Sequence, residues 1–360
     1  MQNQCVTVEE ALLMIERMML TSEHQGLLPV VRHNRWLHLS RKDDTLFFSS
    51  SAVFLLQRHW ALMSESEQTL AQRIIDRIIL KYPAYKNPNR LSFNFWTRTP
   101  RRWFPGGRVM RRFKYFDLPD DVDSSAMVML TGDYSRDEVL VFYDLLKRHA
   151  NTIHLSMKNG LPQLRTTPFY STWLGEKMPI ELDVCVLSNL MYLFLHHNIP
   201  FNDHDEATRD ILIRVIDGGF YEADFFRIAP EYPRKALVLY HLARLLGRFP
   251  DFLPSHCHLK LCVDVKSSLQ LAGAFDRMLL NSALLFLGEA GEMEHDYLPD
   301  ENHLPLKYDE YWFTAGFLSV FGNKVFQSLA PCSFFHYRYY SVVFNWVLWI
   351  ENQLLVRQKE

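Results

Sequence analysis

The chain has 360 residues, of which 48% are hydrophobic, 22% charged and 14% aromatic, an ordinary globular composition that can fill a large core. Its 39 Lys and Arg nearly balance its 41 Asp and Glu, for a net charge of -2, so no nucleic-acid partner is expected. Five irregularly spaced cysteines (Cys5, Cys185, Cys257, Cys262, Cys332) do not make a disulfide framework. No run is long and apolar enough to span a membrane, and MQNQCVTVEEALLMIERMML lacks the basic start of a signal peptide, so a cytoplasmic location is expected.

The first helix is predicted over Thr7 to Leu20, with Thr7 as N-cap and Glu10 completing a capping box. Phe47 to Gln57 (FFSSSAVFLLQ) is apolar on all sides, whereas Glu65 to Leu80 puts Leu70, Ile74, Ile75, Ile78 and Ile79 on one face. An irregular stretch rich in Pro, Gly, Arg and aromatics covers 82–119, and a loop that long in a compact domain is usually functional. Beyond it, further apolar segments run over Ser124 to Leu130, Asp183 to Leu195, Arg234 to Leu246, Asp276 to Leu287 and Tyr340 to Glu351. Amphipathic runs fall between them, as at Arg136 to Arg148 and Ala207 to Asp217. An apolar inner helix alternating with an amphipathic outer one, about six times, is the pattern of a closed ring of helical hairpins. The expected fold is therefore all-α, one α/α-toroid domain over residues 1–360, although an open helical solenoid gives the same pattern.

Chemistry concentrates at the end of the 82–119 stretch. Arg98, Arg101, Arg102, Arg108, Arg111, Arg112 and Lys114 are followed at once by Asp117, Asp120, Asp121 and Asp123. Arginine forks suit phosphate oxygens, so Arg101, Arg102, Arg108, Arg111 and Arg112 are candidates for holding an anionic group, a solvated loop face being the alternative. Trp96, Trp103 and Trp173 are candidate binding aromatics, with core packing as the alternative. Asp120, Asp121 and Asp123 open an apolar helix, where carboxylates also serve as caps.

The run Pro119-Asp120-Asp121-Val122-Asp123-Ser124-Ser125-Ala126-Met127 resembles the Asp-Val-Asp-Asp-Thr-Ala-Met motif of class II terpene cyclases, α/α-toroid enzymes of the terpenoid cyclase and protein prenyltransferase superfamily. The chain departs from it at Ser124 and Ser125, and the oxidosqualene cyclases, with Asp-Cys-Thr-Ala, are similar to it there. The resemblance implies an isoprenoid or other hydrophobic substrate, with Asp123 as the general acid and Asp121 as its partner. A second segment, Tyr170-Ser171-Thr172-Trp173 then Pro179-Ile180-Glu181-Leu182-Asp183-Val184 and Asn189, resembles one that recurs in bacterial toroid proteins of this kind, and brings Asp183 and Asn189 into the candidate binding set. The likeness spans Phe93 to Phe194. The Gln/Trp repeats of squalene cyclases are not seen, and class II sites lie between two helical domains.

Two other readings stay open: a non-catalytic toroid binding a lipid or a partner protein, and a carbohydrate-active toroid, a glycosidase or lyase, using carboxylates at inner helix starts. No cofactor is expected, as there is no Gly-rich phosphate loop and no His-Glu-x-x-His. His256, Cys257, His258, Cys262 and Asp264 have ligand chemistry but not a standard zinc spacing, and no metal is expected. The acidic loop from Glu289 to Glu310 reads as solvated surface.

Overall fold

A computed structural model describes the chain except residues 1–5, 22–25, 35, 101, 105–111, 113–116, 153–155, 158–159, 176–177, 292–296, 300–310, 317, 319–322 and 360. Its helices are α1 (Val8–Thr21), α2 (Leu46–Arg58), α3 (Glu65–Ile79), α4 (Val122–Thr131), α5 (Arg136–Lys147), α6 (Val184–His196), α7 (Asp203–Gly218), α8 (Phe225–Ile228), α9 (Lys235–Arg248), α10 (Ser255–Leu269), α11 (Ala274–Phe286), α12 (Lys324–Leu329) and α13 (Val342–Arg357). The strands are β1 (Val30–Asn34), β2 (Leu39–Asp43), β3 (Phe93–Asn94), β4 (Asp120–Asp121), β5 (Trp312–Gly316) and β6 (His336–Tyr340).

Two helix types follow from residue pattern. Along α2 every residue from Leu46 to Leu56 is buried, and along α6 every residue from Val184 to Phe194. A helix apolar on all sides has to be surrounded by protein. By contrast α3 buries Glu67, Leu70, Ala71, Ile74, Ile75 and Ile78 on one side and leaves its other residues half-buried or exposed. The enclosed helices pack in sequence, α2 on α4, then α6, α9, α11 and α13, and α13 packs back on α2. The striped helices lie outside: α1 and α3 pack together and reach α13 and α2, while α10 packs on α7, α9 and α11.

Helix starts are set by local chemistry. Glu10 N–H donates to Thr7 Oγ1 at 3.2 Å and Thr7 N–H to Glu10 Oε2 at 2.8 Å, the expected capping box. Ser64 with Glu67 and Ser135 with Glu138 form the same box at α3 and α5. Close approach of α9 and α11 depends on Gly247. A Cβ there would sit 2.6 Å from the Phe286 carbonyl oxygen, a backbone atom that cannot rotate away. Gly247→Ala is therefore expected to lower stability by about 1–3 kcal/mol through overpacking. Urea denaturation checks this, and an unchanged midpoint would show that the two helices can separate freely.

The all-α expectation needs correction. An antiparallel sheet of order β2-β1-β6-β5 lies beside the helices, so the fold is mainly helical rather than wholly so. Its strands escaped detection for physical reasons. β2 (LSRKD) is charged and mostly exposed, and its hairpin to β1 turns through His38 at φ 48° without a glycine. β6 ends at Tyr340, which the hydrophobic pattern assigns to the following helix; α13 begins instead at Val342, capped by Ser341. The sheet lies over the N-terminal ends of the inner helices. Phe313 of β5 stacks on Tyr339 of β6 at 5.0 Å and packs on Phe47 and Phe48 of α2 at 5.4 and 5.0 Å. The 82–119 stretch contributes β3, which pairs with β4 and so fixes the backbone in front of α4.

Candidate functional site

Short backbone pairings assemble the site. Phe93 pairs with Asp121, Asp121 with Trp173, and Thr172 N–H bonds the Glu181 carbonyl at 3.1 Å. Successive residues of a strand face opposite ways, so Asp120 and Asp121 part company. Asp120 turns toward Ser92 (2.6 Å), Asn87 (2.6 Å), Arg90 (3.0 Å) and Arg98. Burial acts to raise its pKa, but the Ser92 and Asn87 hydrogen bonds and the Arg98 and Arg90 charges outweigh it and hold Asp120 below the usual carboxylate range. It is an ion-paired anchor.

Asp121 turns into a cavity of about 70 Å³. Its Oδ1 caps α4 by accepting from Ser124 N–H at 2.6 Å, while the buried Oδ2 has no hydrogen-bond partner. Burial, reinforced by the Asp123 charge and opposed by the Ser124 bond, pushes its pKa up to about 8. Phe47, Phe95, Trp173, Phe313 and Tyr339 give the cavity its aromatic walls, and Glu181 and Glu231 share it. Glu181 accepts from Trp173 Nε1 at 2.9 Å and is pushed up to about 7 by burial. Glu231 is raised further, by burial and then by the Glu181, Asp183, Asp121 and Asp123 charges. Like charges this close in a poorly hydrated place cannot all ionise, so the cluster keeps protons at neutral pH.

Asp123 also lines the cavity, but both of its oxygens are engaged: Oδ1 accepts from Asn189 Nδ2 at 2.7 Å and Oδ2 from the Tyr232 hydroxyl. Behind it Arg244 Nη2 donates to Asn189 Oδ1, and the guanidinium lies 5.1 Å from the Phe54 ring and 5.2 Å from that of Tyr240. Burial raises Asp123 while Tyr232, Asn189 and Arg244 oppose it. Asp183 caps α6, accepting from Cys185 and Val186 N–H, and its Oδ2 takes the Glu231 N–H at 2.9 Å. Deeper still, Glu351 is held by His59 at 3.1 Å and by the Tyr240 hydroxyl.

The structure thus gathers Asp121, Asp123, Trp173, Asp183 and Asn189 from the sequence-derived set. Trp96 and Arg102 lie elsewhere, on Asp43: Trp96 Nε1 donates at 3.0 Å and Arg102 Nη1 at 2.7 Å, with Asp44 beside it. Trp103 bridges to Asp117 through its backbone, and Arg112 is exposed. Arg101, Arg108 and Arg111 lie outside the described residues. Sequence reasoning missed Glu181, Glu231, Tyr232 and Arg244 as site residues. On the outer surface Asp217, His256 and Cys257 come together, with His256 Nε2 3.1 Å from Asp217 and 3.5 Å from the Cys257 sulfur. Asp264 is instead bonded to Tyr221 and to Lys260 at 2.8 Å. Among the described residues no helix is long and apolar enough to cross a membrane. No family model, curated protein or solved structure matches the chain.

Proposed function

We propose that the chain is an α/α toroid of six helical hairpins whose carboxylate mouth stabilises a positive charge generated inside it, in the manner of a terpene cyclase acting on an isoprenoid epoxide. The observation that carries this reading is Asp121: a carboxyl that holds its proton at neutral pH, with one unpartnered oxygen, in an aromatic-walled cavity. General acids work best with a pKa near the working pH, and one near 8 suits an epoxide oxygen better than a carbon–carbon double bond, which needs a stronger acid. In the proposed step the Asp121 O–H bond breaks as the epoxide oxygen takes the proton and its carbon–oxygen bond opens. The resulting carbocation is stabilised by the ring faces and by the carboxylate left behind. Return of a proton from a neighbouring carbon to the Asp121 carboxylate would complete an isomerisation, with no net change in atoms. Asp123 accepts through both oxygens, from Asn189 and Tyr232, and so has no free oxygen to present a proton to the substrate.

The cavity's size favours a second reading. About 70 Å³ is the room of roughly two waters. It admits the reacting end of a substrate, and neither a sugar ring nor a whole isoprenoid. A small preformed cation, such as an alkylammonium group, would satisfy the same acids and rings in a non-catalytic toroid.

One experiment separates these readings. The purified chain is incubated with short isoprenoid epoxides, products are followed by gas chromatography, and methylammonium binding is measured by NMR. Acid catalysis predicts turnover that drops about 10²–10⁴-fold in Asp121→Asn. No turnover by wild type, together with saturable methylammonium binding, would leave only the binding reading.

A further inference from the structure

A second and larger cavity, about 850 Å³, opens at the other end of the inner helices. Arg58 of α2, Tyr192 and His196 of α6, Arg248 of α9 and Phe286 of α11 line it, with Lys359 just beyond α13. Arg58, His196 and Arg248 end α2, α6 and α9, helices whose first turns, or the residues just before them, build the carboxylate mouth, so the two cavities lie at opposite ends. Their chemistry is opposed as well. The first is lined by Asp121, Asp123, Glu181 and Glu231, whereas among the described residues no Asp or Glu lines the second.

Arg58 forms its inner wall. The guanidinium lies 4.5 Å from the Phe286 ring centre and 5.5 Å from that of Tyr192. Both terminal nitrogens point at one acceptor, the Arg244 carbonyl oxygen, at a long 3.3 Å. A guanidinium carries five N–H donors in a rigid fork, and one distant carbonyl does not satisfy them. No carboxylate is ion-paired with Arg58 or with Arg248 among the described residues. Burial lowers Arg58's pKa by more than Tyr192 and the more distant Glu351 charge raise it, and the Arg244 charge adds to the effect of burial.

Helix C-termini carry partial negative charge and attract cations, which could account for basic residues here without a ligand. Lys359 fits that account, as its Nζ meets the Gly288 carbonyl at 3.1 Å. Arg58 does not, because its fork lies close to two rings, meets one distant carbonyl and still has donors to spare. A cavity of this volume lies within the roughly 300–1,000 Å³ usual for small-molecule sites.

We propose that this second cavity is a binding site for a small organic anion, with a phosphate or carboxylate head on Arg58, Arg248 and Lys359 at the rim, and an aromatic or aliphatic body against Phe286 and Tyr192. The two kinds of head share the bidentate chemistry that an arginine fork recognises.

Calorimetric titration of the full chain with phenyl phosphate, phenylacetate and benzyl alcohol tests it. The anions are expected to bind saturably and about tenfold or more tighter than the uncharged alcohol, and to weaken as salt is raised. Tight phenyl phosphate with weak phenylacetate would assign a phosphate head, and equal binding a general oxyanion site. Arg58→Gln should weaken the better anion about tenfold or more, and Arg248→Gln, at an exposed rim position, by a few-fold. Circular dichroism checks that each variant is folded, and if Arg58→Gln is not, Arg248→Gln carries the test. Anions that bind no better than benzyl alcohol, or that bind the folded variants as they bind wild type, would overturn the inference.

Discussion

Thermal stability is expected to fall as pH is raised from about 5 to 8, and Asp121→Asn to make that fall shallower, the buried Glu181, Asp183 and Glu231 supplying the rest. The fold keeps the Asp121 proton up to about 8, whereas an Asp in an unfolded chain releases it near about 4. Between those values the native state holds a proton that the unfolded state has already lost. Stability then decreases with pH, by about 1.4 kcal/mol per unit for one such group. From pH 5 to 8 Asp121 alone could cost about 4 kcal/mol, a large part of the total stability of many domains. Glu181, raised to about 7, acts in the same direction over a narrower span. The two are coupled through the shared cluster, so their effects will not add. Asp120 has the opposite sign, but its lowered pKa confines it to pH values below this window. Asparagine at 121 keeps an oxygen for the Ser124 N–H and cannot ionise, so the variant should lose Asp121's share of the slope while keeping the cap. Calorimetric melting at pH 5, 6, 7 and 8 reads the result. A flat wild-type profile, or the same slope in Asp121→Asn, would mean that the carboxyl is ionised in the fold and cannot serve as the proposed acid.

Much of the helical framework was legible because enclosed helices have a distinctive composition. The segments beginning at Phe47, Ser124, Asp183, Arg234, Asp276 and Tyr340 each overlap a helix with buried residues on all sides. The sheet was not legible, because β2 is solvated and charged while β5 and β6 are short aromatic runs whose partners lie far apart in sequence. For the candidate site, the acidic run at 120–123 leads to the cavity but does not reveal which residues share it. Asp120 and Asp121 differ only in which way a two-residue strand turns them, which depends on pairing with Phe93 and Asn94. Glu231 and Tyr232 sit just ahead of the apolar stretch of α9, where nothing in the local pattern marks them. Arg244 did leave a signal. A charged residue midway along an otherwise apolar inner helix must be buried, and a buried charge requires a partner.

That reasoning leads to the second large effect: Arg244→Met is expected to cost about 3–5 kcal/mol, and more at pH 8 than at pH 5. Arg244 is 5% exposed and is the cation behind Asp123. An arginine has donors only, so it forces Asn189 to present its oxygen, which in turn aims the Asn189 NH₂ at Asp123. Methionine would keep much of the volume between Phe54 and Tyr240 while removing both the charge and this orienting bond. Asp123, already raised by burial, would then bind its proton more tightly still, and each increase in pH would penalise the fold further. Asp123→Asn should relieve that penalty. The double variant is therefore expected to be less destabilised than the sum of the single ones, by a coupling of about 0.5–3 kcal/mol. Urea denaturation of the four proteins at pH 5 and pH 8 measures the cycle. Additive losses would show that Arg244 supports the inner helices by packing alone, and that Asp123 keeps its charge state without it.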